Sequence, residues 1–357
     1  MLYREAGQFK TTYQADSAIF PILQDRLGII AILIVAFLIP MTHNDFLINA
    51  VMIPFLIFTL ASIGLNLLTG YTGLLSLGTG AFMGVGAYAC YKLTTIFPQV
   101  NILIWIIASG FFSAAVGVLF GLPSLRIKGF YLAIATLAAQ FFLEWCFIRI
   151  PWLYNYNISG AIEVPQRDFL DIIVTGPRAT AETRYYVVLT IVVAMTWVAS
   201  NLVHGRIGRM WMAVRDMDIA AELMGIRLLP TKLLAFAVSS FYCGVAGALM
   251  VFLWYGGVEA SVFSINQSFT ILFMIIIGGL GSMIGSFFGA ALIFVLPIML
   301  RLITESLGVP LTSANVEHVT FMVTGALIIL ILIAEPAGLA RLWQVGKQKL
   351  RTWPFPY

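Results

Sequence analysis

The side chains that could do chemistry in this chain are few and scattered. His43, His204 and His318 lie far apart in sequence, and none stands at the i, i+4 spacing that puts two imidazoles on one helix face for a metal. The cysteines, Cys90, Cys146 and Cys243, are odd in number and all fall inside apolar runs, so they read as small packing residues and not as a disulfide framework. Glu144 is the only carboxylate well inside an apolar run. Beside Cys146 and near Arg149, it reads as a helix-end group reaching the interface or pairing locally, with a proton relay as the other reading. No GxxxxGK followed by Ser or Thr is present, so the chain has no loop to cradle the phosphates of ATP. Metal-assisted hydrolysis, nucleotide turnover and membrane-embedded lipid chemistry are all disfavoured, and neither metal nor cofactor is expected on this chain.

What remains is recognition by backbone groups and hydroxyls. Two glycine-rich zones, Gly70 to Gly86 and Gly278 to Gly289, sit roughly symmetrically in the chain. Gly80 and Gly84, Gly117 and Gly121, and Gly281, Gly285 and Gly289 have the spacing that lets helix backbones approach closely, which is the packing reading. The second reading is a substrate pathway, because paired helix interruptions near the bilayer centre expose backbone groups to a cavity. The candidates for that pathway are Gly73, Ser76, Gly78, Thr79 and Gly80 in the first zone, and Gly279, Gly281 and Ser282 in the second.

The elements that must position these residues follow from composition. With 61% hydrophobic and 10% charged residues, the chain is an all-α, polytopic membrane protein with no room for a sizeable soluble domain. Apolar runs at 27–41, 46–69, 74–97, 100–122, 129–150, 185–204, 232–255, 267–280, 284–304 and 319–334 read as about ten transmembrane helices. The stretch Phe269 to Leu300 is divided at Gly278, Gly279, Gly281 and Ser282, because Gly is costly inside a helix; a re-entrant pair has the same parity. Residues 1–26 are expected to form a cytoplasmic N-terminal segment without the pattern of a secretory leader, 27–334 a single transmembrane domain, and 335–357 a cytoplasmic tail. Most of the 20 lysines and arginines, among them Arg4, Lys10, Arg26, Arg126, Lys128, Arg341, Lys347, Lys349 and Arg351, then fall on the inner side. The net charge of +4 reflects those inner loops; its partner is anionic lipid and not nucleic acid. Trp152, Tyr154 and Tyr156 read as an outer interfacial belt, and Pro165 to Arg184 as a mobile outer loop.

One charged stretch interrupts the apolar matrix, from Arg206 to Lys232, within a coupling segment at 205–231. Met210, Val214, Met217, Ala221 and Met224 recur at helical spacing, while Arg209, Arg215, Asp216, Asp218 and Glu222 take other faces. An amphipathic helix on the inner membrane face is expected, serving either as a docking element or as an anchor to lipid headgroups.

Gly70-Tyr-Thr-Gly-Leu-Leu-Ser-Leu-Gly78, Gly84-Val-Gly-Ala-Tyr88, Leu122-Pro-Ser-Leu-Arg126, Gly129-Phe-Tyr-Leu-Ala-Ile-Ala-Thr136, Asp218-Ile-Ala-Ala-Glu-Leu-Met-Gly225, Gly278-Gly-Leu-Gly-Ser282 and Glu335-Pro-Ala-Gly-Leu339 carry a resemblance. In that order, over roughly residues 46 to 340, the chain resembles the LivM-type permease of branched-chain amino-acid ABC importers. The resemblance implies one membrane subunit of a bacterial or archaeal inner-membrane importer. Its implied partners are a second homologous permease, two ATP-binding subunits that hold ATP and Mg, and an extracytoplasmic substrate-binding protein. It also implies that Arg209, Arg215, Asp216, Asp218, Ala221, Glu222 and Gly225 lie in the ATPase-docking segment. Branched-chain amino acids are the implied substrates. Relatives serving urea, short amides or aromatic carboxylates keep those classes open, as does Thr79 where the family often has His. Ile158-Ser-Gly-Ala161, where a Leu-Thr-Gly-Gly pattern is usual, departs from the family in the outer loop and bears on contact with the binding protein. Ile219 also stands in the acidic position of the Glu-Ala-Ala signature. A stand-alone carrier or channel is the remaining alternative.

Overall fold

The computed structural model describes residues 11–12, 23–124, 131–169, 172–176, 178–306, 313–335 and 337–352. Arg4, Lys10, Arg126, Lys128 and Trp353 lie outside them. In chain order the helices are α1 (Leu23–Leu38), α2 (Ile53–Thr72), α3 (Thr79–Ile96), α4 (Ile102–Ser124), α5 (Tyr131–Arg149), α6 (Ala181–His204), α7 (Arg206–Asp216), α8 (Asp218–Leu223), α9 (Leu228–Leu249), α10 (Ile265–Gly278), α11 (Met283–Ser306), α12 (Ser313–Ala334) and α13 (Leu339–Thr352). The fold is all-α and polytopic. A π-helical turn at Leu47–Met52 leads into α2, and another at Met250–Tyr255 prolongs α9.

The expected apolar runs recur in order as α1 to α6 and α9 to α12. Among the described residues, six stretches are long and apolar enough to cross a bilayer by themselves: Leu47–Thr72, Ile102–Pro123, Tyr131–Arg149, Ala181–His204, Leu228–Tyr255 and Met283–Leu300. Two of these form the core, with 89% of the α2 span and 83% of the α9 span buried, against 39% or less for the other four. The remainder show the outward faces expected of lipid contact, such as Phe111 and Leu119 on α4, Phe141 and Trp145 on α5, and Trp197 on α6.

Glycine lets the core helices touch. A Cβ on Gly86 would lie 2.1 Å from the carbonyl oxygen of Gly244, and one on Gly247 would lie 1.9 Å from that of Met83, so α3 and α9 meet backbone to backbone. Gly117 on α4 faces Ser240 of α9 at 2.3 Å, and Gly289 on α11 faces the Met274 carbonyl of α10 at 1.8 Å. At these positions the packing reading of the glycine spacing is realised.

Strands β1 (Ile162–Glu163), β2 (Arg167–Phe169), β3 (Ile172–Thr175) and β4 (Gly257–Val258) form two short antiparallel pairs, β1 with β4 and β2 with β3. The stretch Pro165 to Arg184, expected as an outer loop, thus carries β2, β3 and the start of α6. Arg167 pins the β2–β3 pair by donating from Nη2 to Thr94 O at 3.1 Å, an orphan carbonyl in the last turn of α3, and from Nη1 to Pro98 O at 3.0 Å just past its end. Beside it the buried Lys92 donates to Asn155 Oδ1 and lies 4.3 Å over the Trp152 ring, so Trp152 packs on a cation as well as being exposed.

Candidate functional site

The first glycine zone is a helix break. α2 ends at Gly73, whose φ of +74° suits only glycine well, and the chain is non-helical until α3 begins at Thr79. A helix start leaves N–H groups without helical partners, and here buried side chains take them up. Leu77 N donates to Thr136 Oγ1 at 2.9 Å, Gly80 N to Ser268 Oγ at 2.8 Å, and Ala81 N to Gln140 Oε1 at 2.7 Å. Gln140 is itself held, because its Nε2 donates to Phe263 O at 2.7 Å and its Oε1 also accepts from Ser268 Oγ at 3.0 Å. Ser76 Oγ accepts from Gly78 N at 3.4 Å. Gly78 and Gly80 have no space for a Cβ, which would lie 2.9 Å from the carbonyls of Thr136 and Ser264 respectively. The result is a buried polar cluster joining α3, α5 and α10. Two of its polar groups have no partner, Thr79 Oγ1 and Gln267 Nε2.

The second zone is also a break. α10 stops at Gly278 and α11 starts at Met283, with φ of +120° at Gly279 and +74° at Gly281. The division at the glycines was therefore legible from their conformational cost. Asn66 of α2, fully buried, holds this break by donating from Nδ2 to Ser282 O at 2.8 Å and Ser286 Oγ at 3.0 Å while its Oδ1 accepts from Gly281 N at 2.9 Å. Ser282 Oγ accepts from Gly285 N at 3.1 Å, as a helix cap does. Gly279 packs on the turn before α13, where its Cβ would lie 2.6 Å from Ala337 O.

The two sets of predicted pathway residues do not converge on one point. Ser76, Gly78, Thr79 and Gly80 gather at the start of α10, around Ser268. Gly279, Gly281 and Ser282 lie beyond its other end, about 16 Å further along the helix axis. Gly73 belongs with the second group, since its Cβ would lie 3.0 Å from Arg215 Cγ. A cavity of about 410 Å³ opens there, lined by Thr72, Gly73, Leu75, Ala133, Arg215 and Asp218 among others. Thr136, Gln140, Ser268 and Asn66 were missed by sequence reasoning; their signal was a polar residue embedded in an apolar run.

The charged segment is positioned by tight turns. Gly205 ends α6, and Gly208 allows α7 to fold back, since a Cβ there would lie 1.9 Å from Val203 O. The expected single amphipathic helix is two helices, because Met217 is extended at φ −161° and ψ 103°. That break corrects the expected apolar stripe. Trp211, Val214 and Ala221 are buried, with Trp211 Nε1 donating to Thr231 O at 3.1 Å, whereas Met217 and Met224 point outward. Met217, Ile219, Leu223 and Met224 are 65%, 67%, 84% and 70% exposed and form an apolar ridge beside the exposed Glu222. Gly225, at φ +87°, ends α8 in open space, and Arg209 is exposed on α7. Asp218 accepts from Lys232 Nζ at 2.5 Å. Arg215 holds Asp216 through Nε and Nη2 and donates from Nη1 to Gly70 O at 3.0 Å.

Among the described residues no three His, Cys, Asp or Glu side chains converge as metal ligands. His43 Nδ1 lies 2.7 Å from Glu182 Oε1 at the surface, and His204 Nδ1 lies 2.8 Å from Ser200 O. Cys90, Cys146 and Cys243 are free thiols.

Buried core helices, two glycine-built helix breaks and long apolar spans define the class: a multi-pass membrane protein. The chain belongs to the family described as the branched-chain amino acid transport system permease component, which matches residues 47–332. It is 27% identical over 340 residues to the high-affinity branched-chain amino acid transport system permease protein LivM of Salmonella typhimurium, and 28% identical over 340 residues to that of Escherichia coli. Each alignment covers 89% of this chain and 75% of the relative. It is 25% identical to the probable branched-chain amino acid transport permease protein LivM of Methanocaldococcus jannaschii, over 82% of this chain and 93% of that one. No solved structure matches.

Proposed function

We propose that this chain is one of two homologous permease subunits of an ATP-binding-cassette importer, passing branched-chain amino acids across the cytoplasmic membrane by alternating access. Two ATP-binding subunits carry ATP and Mg and do the hydrolysis, and an extracytoplasmic binding protein delivers the substrate. Both termini and the α7–α8 end face the cytoplasm. The observation that carries the reading is the apolar ridge of Met217, Ile219, Leu223 and Met224, exposed on a short helix pair whose other face is anchored by Trp211, Val214 and Ala221. Large apolar side chains exposed together mark a protein or membrane interaction site. Arg209, Asp216, Glu222 and Gly225 rim the ridge and complete the docking surface, while Asp218 and Ala221 hold it to the body. Substrate passes near the break residues Ser76, Gly78, Thr79 and Gly80, and gating involves Gly73, Gly279, Gly281 and Ser282. The substrate class comes from the named relatives.

The test is recovery of the ATP-binding subunits with the tagged permease, together with leucine uptake. Leu223→Glu with Met224→Glu should lower both by at least about tenfold, since each buried apolar side chain contributes roughly 1.5–3 kcal/mol, while membrane insertion is unchanged. Full recovery and uptake in the double variant would refute the docking assignment.

A further inference from the structure

We infer that Arg215 and Asn66 are positioning residues that carry motion of α7 and α8 into the break between α10 and α11, so that Arg215 works inward. The inference rests on the ATPase-driven reading above. The last carbonyls of a helix have no N–H of that helix ahead of them and carry its negative end. Gly70, in the final turn of α2, offers such a carbonyl, and Arg215 Nη1 takes it at 3.0 Å. The same spot touches the break. A Cβ on Gly281 would lie 3.3 Å from Arg215 Nη1, and one on Gly70 would lie 2.2 Å from Gly281 N and 2.0 Å from Asn66 Oδ1. Asn66, one turn earlier on α2, then ties the break to the start of α11 through Gly281 N, Ser282 O and Ser286 Oγ.

Four pieces therefore meet in one contiguous hydrogen-bonded path: the inner-face helix, the end of α2, the break and the start of α11. Gly70 and Gly281 have no side chain to absorb a displacement, so movement of the guanidinium shifts backbone directly. The planar fork of Arg holds Asp216 and the Gly70 carbonyl together, which a lysine's single ammonium does not reproduce.

Two measurements test this. In the full chain alone in lipid nanodiscs, amide hydrogen exchange across 279–286 should speed up on the order of tenfold in Asn66→Ala, which removes the acceptor for Gly281 N. Arg215→Ala should also speed it. No change at Gly281 in the arginine variant overturns the link. In proteoliposomes of the complete complex, each variant should lower ATP-driven leucine uptake by roughly tenfold or more while the ATP-binding subunits still co-purify, and the double variant should be no worse than the worse single one. Losses that multiply, or that track lost ATPase recovery, overturn it as well. Asn66→Asp, which cannot donate to Ser282 O, serves where the alanine variant fails to insert. Absence of ATP-driven uptake by the wild-type complex would refute the proposed function instead, and the exchange experiment would then decide the link by itself.

Discussion

Gln140 shows how single residues hold a helix break inside a membrane. Its amide accepts from Ala81 N and Ser268 Oγ and donates to Phe263 O, all within an apolar surrounding where water cannot substitute. Gln140→Leu takes away the partner of Ala81 N and of Phe263 O and the acceptor for the Ser268 hydroxyl, and should destabilise the chain by about 1–3 kcal/mol, read as a lowered unfolding temperature in detergent. Thr79 is the opposite case. Its hydroxyl is buried and unpartnered, so Thr79→Val keeps the shape and removes a desolvated polar atom. Stability should be unchanged or raised by up to about 1 kcal/mol. Leucine uptake should fall if the hydroxyl meets substrate in the pathway, and undiminished uptake would remove Thr79 from it. The placement of Thr79 at a helix break was legible as a hydroxyl beside glycines. That of Gln140 was not, because its partners come from helices distant in sequence.

At the scale of elements, the close approaches of α3 to α9 and of α10 to α11 require glycine. Gly247→Ala places a Cβ 1.9 Å from the Met83 carbonyl, a backbone atom that cannot rotate away, and should cost about 1–3 kcal/mol or separate the helices. Gly225→Ala meets no atom within 4 Å and is strained only through its φ of +87°, so thermal unfolding of the two variants separates packing from backbone conformation. The final helix makes a separate prediction. α13 places Leu339, Leu342 and Trp343 toward one face and Arg341, Gln344 and Gln348 toward the other, with Lys347 and Lys349 in its second half and no acidic residue. Leu342 and Trp343 are exposed, although Trp343 also packs edge to face on Phe288. Such a helix is suited to an anionic membrane surface, and lipid retention tests that placement. Replacing Lys347 and Lys349 by Gln should weaken retention of phosphatidylglycerol during delipidation, by about 1 kcal/mol per charge.

At the scale of the whole molecule, α2 and α9 form the core, and the other described spans are far less buried. A permease driven by partners does no work alone. Purified and reconstituted by itself, the chain should show neither ATP hydrolysis nor sustained directional leucine uptake, and either activity would point to a stand-alone carrier. Composition, glycine placement and charge determined the membrane class, the order of the apolar helices, the break at Gly279–Ser282 and the amphipathic segment, because each depends on residues adjacent along the chain. Tertiary structure alone decided that Met217 and Met224 face outward, that Arg215 reaches Gly70, and that Thr136, Gln140, Ser268 and Asn66 satisfy the broken helices. Those outcomes turn on which backbone groups lose water and which distant side chains arrive to replace it, and no local pattern records that pairing.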